Sequence, residues 1–285
     1  MARQLVCSLL LVALTVLPGE ASWSYSGNNG PEHWKKLFPE CGGRRQSPVN
    51  INTHDEERDD DGGSWPRFHF HNFNTIPNSM TILNTGESAQ VSSEQLRASV
   101  SGGALGAEYT FLQFHFHWGS SNKLGGSEHT VNHRREAAEL HMVFFKTEYG
   151  NFKESLNYRD GVAVFAVFLR LSRHDNANLR TVVAGLSSIR HHNDTAHILP
   201  IPLSAVLPPY LTEFYRYYGS FTTPDCNEVV TWTVFKHPIT ISSTQLKKFR
   251  SLVFEDGKPM QDNFRPVQPL NGRKIYQRPK GNDDS

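Results

Sequence analysis

The stretch Phe111–Trp118 reads Phe-Leu-Gln-Phe-His-Phe-His-Trp. On a strand, side chains two apart share a face. Gln113, His115 and His117 therefore point one way, and Phe114, Phe116 and Trp118 the other. The segment Leu140–Phe145 has the same character. Around its start, Glu139, His141 and Val143 share a face opposite Ala138, Leu140 and Met142. Val162–Leu171 (VAVFAVFLRL) and Val229–Phe235 (VVTWTVF) are rich in β-branched and aromatic residues and also read as strands. Helical spacing appears at Leu179, Val182, Val183, Leu186 and Ile189, which predicts a helix over Asn176–His192. Ser242 and Gln245 fit a capping box ahead of a second helix over Thr244–Leu252. Turns are frequent, and no internal repeat or mid-chain linker is visible. The expectation is a mainly β (α+β) domain, one large sheet with short peripheral helices.

If the two histidine-bearing strands are neighbours, His115, His117 and His141 converge on one point. Three neutral imidazoles and a water make an open tetrahedral zinc site, the catalytic arrangement. Gln113 and Glu139 each precede a histidine by two residues on the same face. They are placed to accept the spare ring N–H and fix its tautomer. Ligands without net charge leave the metal strongly electrophilic. Spacing alone keeps a second reading open, in which these histidines pack or lie at a surface. His69-Phe70-His71 has the same spacing and apolar alternation. No helical His-Glu-x-x-His is present, which disfavours zinc-protease chemistry.

The 285 residues suit one large domain or two small ones. Hydrophobic residues at 38% and aromatics at 11% are enough for a packed core. Lys and Arg total 29 against 28 Asp and Glu, which excludes a chain-wide basic footprint for nucleic acid. Arg3 precedes a nearly unbroken apolar run from Leu5 to Leu17, and Gly19 and Ala21 fit a cleavage site. Residues 1–21 are expected to be a secretory signal peptide, since a membrane span needs roughly 20 apolar residues. The polar tail 276–285 carries no lipid-anchor signal, so no membrane anchor is expected. Removing the leader removes Cys7. Cys41 and Cys226 then remain in an oxidising compartment, where a disulfide is the expectation. Asn193-Asp194-Thr195 is a glycosylation acceptor that agrees with secretion. Asp55, Glu56, Glu57, Asp59, Asp60 and Asp61 surround Arg58. They read as a solvated loop, or as a weak calcium-binding patch without EF-hand spacing.

Further motifs join these: NGPEHW (Asn29–Trp34), QSPVNI (Gln46–Ile51), QFHFHWG (Gln113–Gly119), SEHT (Ser127–Thr130), AAELH (Ala137–His141), GSFTTP (Gly219–Pro224), Thr231-Trp232 and DNFRPVQPLNGR (Asp262–Arg273). In this order they resemble the alpha-class carbonic anhydrases of the secreted type, from about Trp23 to Arg273, within a domain expected over 22–275. The resemblance implies a large twisted, mostly antiparallel sheet with zinc at the base of a conical cavity. It implies that His115, His117 and His141 bind Zn2+, with Gln113, Glu139 and the backbone of Asn263 as their partners. Thr222 then takes the part of a hydroxyl that orients zinc-bound hydroxide, and Glu128 accepts the Thr222 proton. Thr223 would touch bicarbonate, and Tyr25 would join an ordered water network. Val143, Val164, Phe221, Val230 and Trp232 would form the apolar wall that holds carbon dioxide. Cys41 and Cys226 fall where secreted members carry a disulfide. The implied reaction is reversible hydration of carbon dioxide to bicarbonate and a proton, with anions and sulfonamides as inhibitors. Oligomeric state is not implied.

Three positions depart from the family pattern. Glu87 stands where fast members carry a histidine that shuttles protons. A free Glu with a pKa near 4.3 faces an uphill transfer of roughly 3.7 kcal/mol, or about 500-fold in rate, from a donor near 7. Partial burial of Glu87 would recover some of this. Turnover is therefore expected to depend on external buffer. Phe221 replaces the usual Leu and is expected to narrow the pocket against aryl sulfonamides. Asp225 follows Pro224 where a second proline is common, without a functional account. The alternatives are a non-catalytic binding protein on the same fold and a calcium-associated matrix protein. Retention of all three histidines, Thr222 and Glu128 favours the enzyme.

Overall fold

A computed structural model describes residues 23–54, 57–58 and 65–277 of the chain. The expected leader, the greater part of the acidic stretch and residues 278–285 lie outside the described residues, so the calcium reading does too. Among the described residues a 13-stranded sheet dominates. Its central strands run in the order Met80–Asn84, Ala89–Ser92, Tyr109–Trp118, Ala138–Lys146, Val162–Ser172, Val230–Phe235 and Phe214–Gly219. Neighbours are antiparallel except where Val162–Ser172 runs parallel to Val230–Phe235 and to Ile239–Ser242, and where Tyr276–Gln277 runs parallel to Glu57–Arg58. Tyr276–Gln277 also pairs with Phe214–Gly219, which carries the sheet just past residue 275.

The alternating apolar residues separate into two cores on opposite faces. Phe114, Phe116, Trp118, Leu140, Met142 and Phe144 enter the larger one, under the helical segments. Val143, Val164, Val230 and Trp232 enter the smaller one. Each fully buried side chain of this size contributes about 1.5–3 kcal/mol. The alternation is broken once. A bulge lies between Phe111 and Gln113, so Phe111 pairs with Phe144 while Gln113 pairs with Val143. Leu112 is the extra residue and packs toward the smaller core. The slip lets Phe111 share the larger core with Phe114, which an uninterrupted strand forbids.

The helix expected over Asn176–His192 is shorter than its apolar stripe. It consists of a 3-10 turn Ala177–Leu179, an α-helix Arg180–Gly185 and a 3-10 turn Leu186–Ser188. Leu179, Val182, Leu186 and Ile189 are all buried, so the face was legible but the end was not. The chain turns away because the Arg190 carbonyl accepts from the Asn84 side chain and from Val253 N. The second helix spans Ser243–Phe249 with both halves of the Ser242–Gln245 capping box formed. It stops short of Leu252. His69 and His71 lie exposed on the strand Phe68–His71, with Phe68 and Phe70 turned to the core.

Candidate metal centre

The register sets His115 directly opposite His141 and His117 opposite Glu139. One ring nitrogen from each of His115, His117 and His141 lies within 4.8 Å of the others. The outer nitrogens are engaged by acceptors. His115 Nδ1 donates to Gln113 Oε1 (3.0 Å), His117 Nδ1 to the Asn263 carbonyl (2.7 Å) and His141 Nε2 to Glu139 Oε1 (2.7 Å). A proton on each outer nitrogen leaves a lone pair on each inner one. His117 Nε2 and His141 Nδ1 consequently face each other at 3.1 Å. Burial, reinforced by the neighbouring imidazoles, holds His115 well below the ordinary imidazole range, and burial lowers His141 too. Both favour the neutral form that a metal requires.

Glu128 gives an independent test of whether a cation fits. Its Oε1 accepts from Arg265 N at 2.7 Å. Its Oε2 is buried without a hydrogen-bond partner, 3.6 Å from His117 Nε2 and 3.9 Å from His141 Nδ1. Three inward lone pairs beside an orphaned carboxyl oxygen suit a divalent metal, and all-imidazole donors suit zinc. The expected hydrogen bond from Thr222 to this oxygen is absent. The Arg265 amide fixes Oε1 and leaves Oε2 turned to the histidines.

Behind the site runs a buried chain that the sequence did not reveal. His129 Nδ1 and His141 Nε2 share Glu139 Oε1 at 2.6 and 2.7 Å, and His129 N donates to Glu139 Oε2 at 2.9 Å. His129 Nε2 meets Tyr217 Oη at 2.6 Å, and Tyr217 donates to Ser47 Oγ at 3.0 Å. Burial opposes ionisation of Glu139, but the hydrogen bonds and electrostatic attraction of His129 and His141 outweigh it and hold the group well below the usual carboxylate range. His129, Glu139 and His141 could also crowd a metal, but their facing atoms are already spent on one another. His129 stands in the Ser-Glu-His-Thr motif, which was its only signal.

The residues read as a substrate wall lie together beside the histidines. Val143, Val164, Val230 and Trp232 share one buried cluster, and the Trp232 ring centroid is 4.8 Å from that of His141. Phe221 packs on this cluster half-buried and meets Phe152 edge-on at 6.1 Å. Phe152 carries no local signal in the sequence. Thr222 is buried, and the Thr223 carbonyl accepts from Cys226 N at 2.8 Å. Cys226 is disulfide-bonded to Cys41. Asp225 follows Pro224 through a cis peptide bond.

Asn263 ties the centre to Glu87. Its carbonyl holds His117, and its side-chain amide donates to the Glu87 carbonyl at 2.9 Å. Glu87 lines a cavity of about 790 Å³ together with Trp23, Tyr25, Phe254 and Glu255. The three histidines do not line it. Burial, with Glu255 adding to it, pushes the Glu87 carboxyl up to about 7. Tyr25 packs against Trp23, Trp34 and Phe254, with its hydroxyl buried and unpartnered. Burial moves its titration well above the ordinary phenol range. Asn193 is exposed on the turn after Arg190.

A three-histidine centre on a broad, mostly antiparallel sheet, beside a buried apolar cluster, is suited to holding a catalytic metal. Residues 29–279 match the family model described as eukaryotic-type carbonic anhydrase, and the chain belongs to that family. It is 38% identical over 268 residues to carbonic anhydrase 3 of Homo sapiens, covering 89% of this chain and 96% of the relative. Carbonic anhydrase 3 of Sus scrofa and of Rattus norvegicus are each 37% identical over the same shares of both chains. The protein is a zinc-dependent carbonate dehydratase that interconverts carbon dioxide and bicarbonate. Sulfonamide inhibition goes with the family.

Proposed function

We propose that this enzyme works outside the cell and exports the reaction's proton through Glu87. Zinc, when bound, supplies a Lewis acid that brings the pKa of its water to about 7, an effect for which this family is the reference case. The chain's own residues do the rest. Gln113, Asn263 and Glu139 hold the imidazoles in the tautomer that presents lone pairs inward. Val143, Val164, Val230 and Trp232 offer carbon dioxide a dry surface beside His141. Thr222 orients the attacking oxygen, with Glu128 Oε2 as the unclaimed acceptor next to the ligands, and Thr223 meets the bicarbonate product.

The observation that carries the proton route is the setting of Glu87. Burial lifts it to about 7, level with the donor, so the energetic deficit of a free carboxyl largely disappears. A half-buried acceptor still has to release its proton, so turnover should rise with external buffer. The extracellular setting is supported by the leader-like residues 1–21, by the Cys41–Cys226 disulfide and by the exposed acceptor Asn193.

The test of the proton route is stopped-flow carbon dioxide hydration over a range of buffer concentrations at fixed ionic strength. The comparison is wild type, Glu87→Gln and Glu87→His. Glu87→Gln should lose rate in dilute buffer and recover in concentrated buffer, and Glu87→His should be the least dependent of the three. Identical buffer profiles would remove Glu87 from the route. Expression in a secreting host, with mass measurement of the product, tests cleavage after Ala21 and glycan addition at Asn193.

A further inference from the structure

The turn carrying Glu87 is tied to two other segments, each bearing a titratable side chain. The tie is Asn84, which is fully buried. Its side-chain amide donates to the carbonyls of Arg190 (3.0 Å) and Val253 (3.1 Å), and its side-chain oxygen accepts from Gly86 N (2.8 Å). Its backbone N donates to Asp194 O at 3.0 Å, and its carbonyl accepts from Asn193 N at 2.9 Å. Glu255 N donates to the Gly86 carbonyl at 3.3 Å. His192 lies between these anchors. Its ring lies against the bare backbone of Gly86, where an added Cβ would stand 3.0 Å from His192 Cδ2. His192 Nδ1 is 3.6 Å from Glu255 Oε1. Glu255 is near enough to Glu87 to reinforce its hold on a proton. The three groups run from half-buried Glu87 to exposed Glu255 and a partly exposed imidazole.

We propose that His192 is the outer proton acceptor of this enzyme, taking the proton from Glu87 with the Glu255 carboxylate paired beside it and releasing it to buffer. This rests on the reading of Glu87 as the inner acceptor. The neutral Glu87 carboxyl gives up its proton and becomes a carboxylate. His192 takes that proton and becomes an imidazolium, which the Glu255 carboxylate 3.6 Å away stabilises. A buffer base removes the proton from His192, the Glu87 carboxylate is left ready for the next proton the reaction releases, and nothing is oxidised or reduced. Imidazole suits the outer position because its charge changes near neutrality. Other groups set the local field. Tyr25 faces Glu87, while Asp262 and an Asp256–Lys258 ion pair (2.6 Å) line the same cavity. On the turn of His192 itself, His191 lies 3.5 Å from Asp194.

The experiment compares zinc-loaded wild type with His192→Gln, Glu255→Gln and Glu87→Gln in dilute and concentrated buffer. His192→Gln should lower kcat in dilute buffer by about fivefold, with KM falling in step and imidazole buffer restoring the rate. Glu255→Gln should act in the same direction. A second readout is the NMR titration of the His192 ring, which should move by a few tenths of a pH unit in Glu87→Gln through coupling of the groups. If Glu87→Gln slows dilute-buffer turnover while His192→Gln does not, His192 is removed and Glu87 stands. If neither variant slows it, both readings fall. If His192→Gln alone slows it, or the His192 titration ignores Glu87→Gln, the route between them is overturned.

Discussion

His117 Nε2 and His141 Nδ1 face each other at 3.1 Å, and neither has a proton to give, because each ring donates from its other nitrogen. Two lone pairs at that distance repel until a cation lies between them. Stripping the metal with a chelator should therefore lower the unfolding midpoint, and zinc should restore it. At free zinc about 100-fold above Kd the difference should be roughly 2.7 kcal/mol, read from denaturant curves. The pH dependence has a definite sign. Protons compete for the ligand nitrogens, and His115 and His141 are held below the ordinary imidazole value of 6.5. Zinc content after dialysis should thus persist into more acidic buffer than free imidazole ligands allow. Half-release at or above pH 6.5 would contradict this.

Glu87 should cost the fold stability above neutrality. Its carboxyl goes from about 4.5 in an unfolded chain to about 7 in the folded one, so the folded state holds the proton more tightly. Its contribution is most favourable below pH 4.5 and is lost as pH rises through 7. Glu87→Gln removes the ionisation. It should be more stable than wild type at pH 8, by at most about 3 kcal/mol, with the gap closing toward pH 4.5. Denaturation curves at several pH values check this, and a gap that widens in acid would refute it.

Phe221 meets Phe152 edge-on above the apolar cluster that includes Trp232. Trimming the ring opens space on the side where an aryl group would lie. Phe221→Leu should tighten aryl sulfonamides by about tenfold, equivalent to roughly 1.4 kcal/mol. Small inorganic anions, which do not reach the wall, should change far less. Inhibition constants for both classes test this, and equal tightening of the two would assign the effect elsewhere.

The Cys41–Cys226 disulfide joins residues 185 apart in the chain and lies against Trp34. Closing so long a loop restricts the unfolded chain by up to about 5 kcal/mol on the entropic account. A Cys41→Ser/Cys226→Ser double variant should lose stability by roughly 2–5 kcal/mol. It should also loosen the Thr223 turn, whose carbonyl is held by Cys226 N. Urea denaturation, with carbon dioxide hydration as a second readout, separates the two effects.

Local sequence pattern alone decides which way the side chains face. Period-two alternation placed His115 and His117 opposite Phe114 and Phe116, and the Ser242–Gln245 box marked a helix start, because both are relations among residues a few positions apart. The resemblance added the order of motifs, from which the ligand set and the wall were named. What local pattern cannot encode was decided by contacts between distant segments. The bulge at Leu112 is fixed by which partner residues Phe111 and Gln113 meet on the neighbouring strand. The early end of the helix before His192 is fixed by Asn84, 106 positions from Arg190. The tautomer of His117 depends on Asn263, 146 positions away, and the aim of Glu128 on Arg265, 137 positions away. Glu87 is the plainest case. Its identity argued for a weak acceptor, and only the folded surroundings, burial first and Glu255 second, raise it to a pKa suited to the task. Facing direction is a property of neighbouring residues, whereas protonation depends on everything that displaces water around a group.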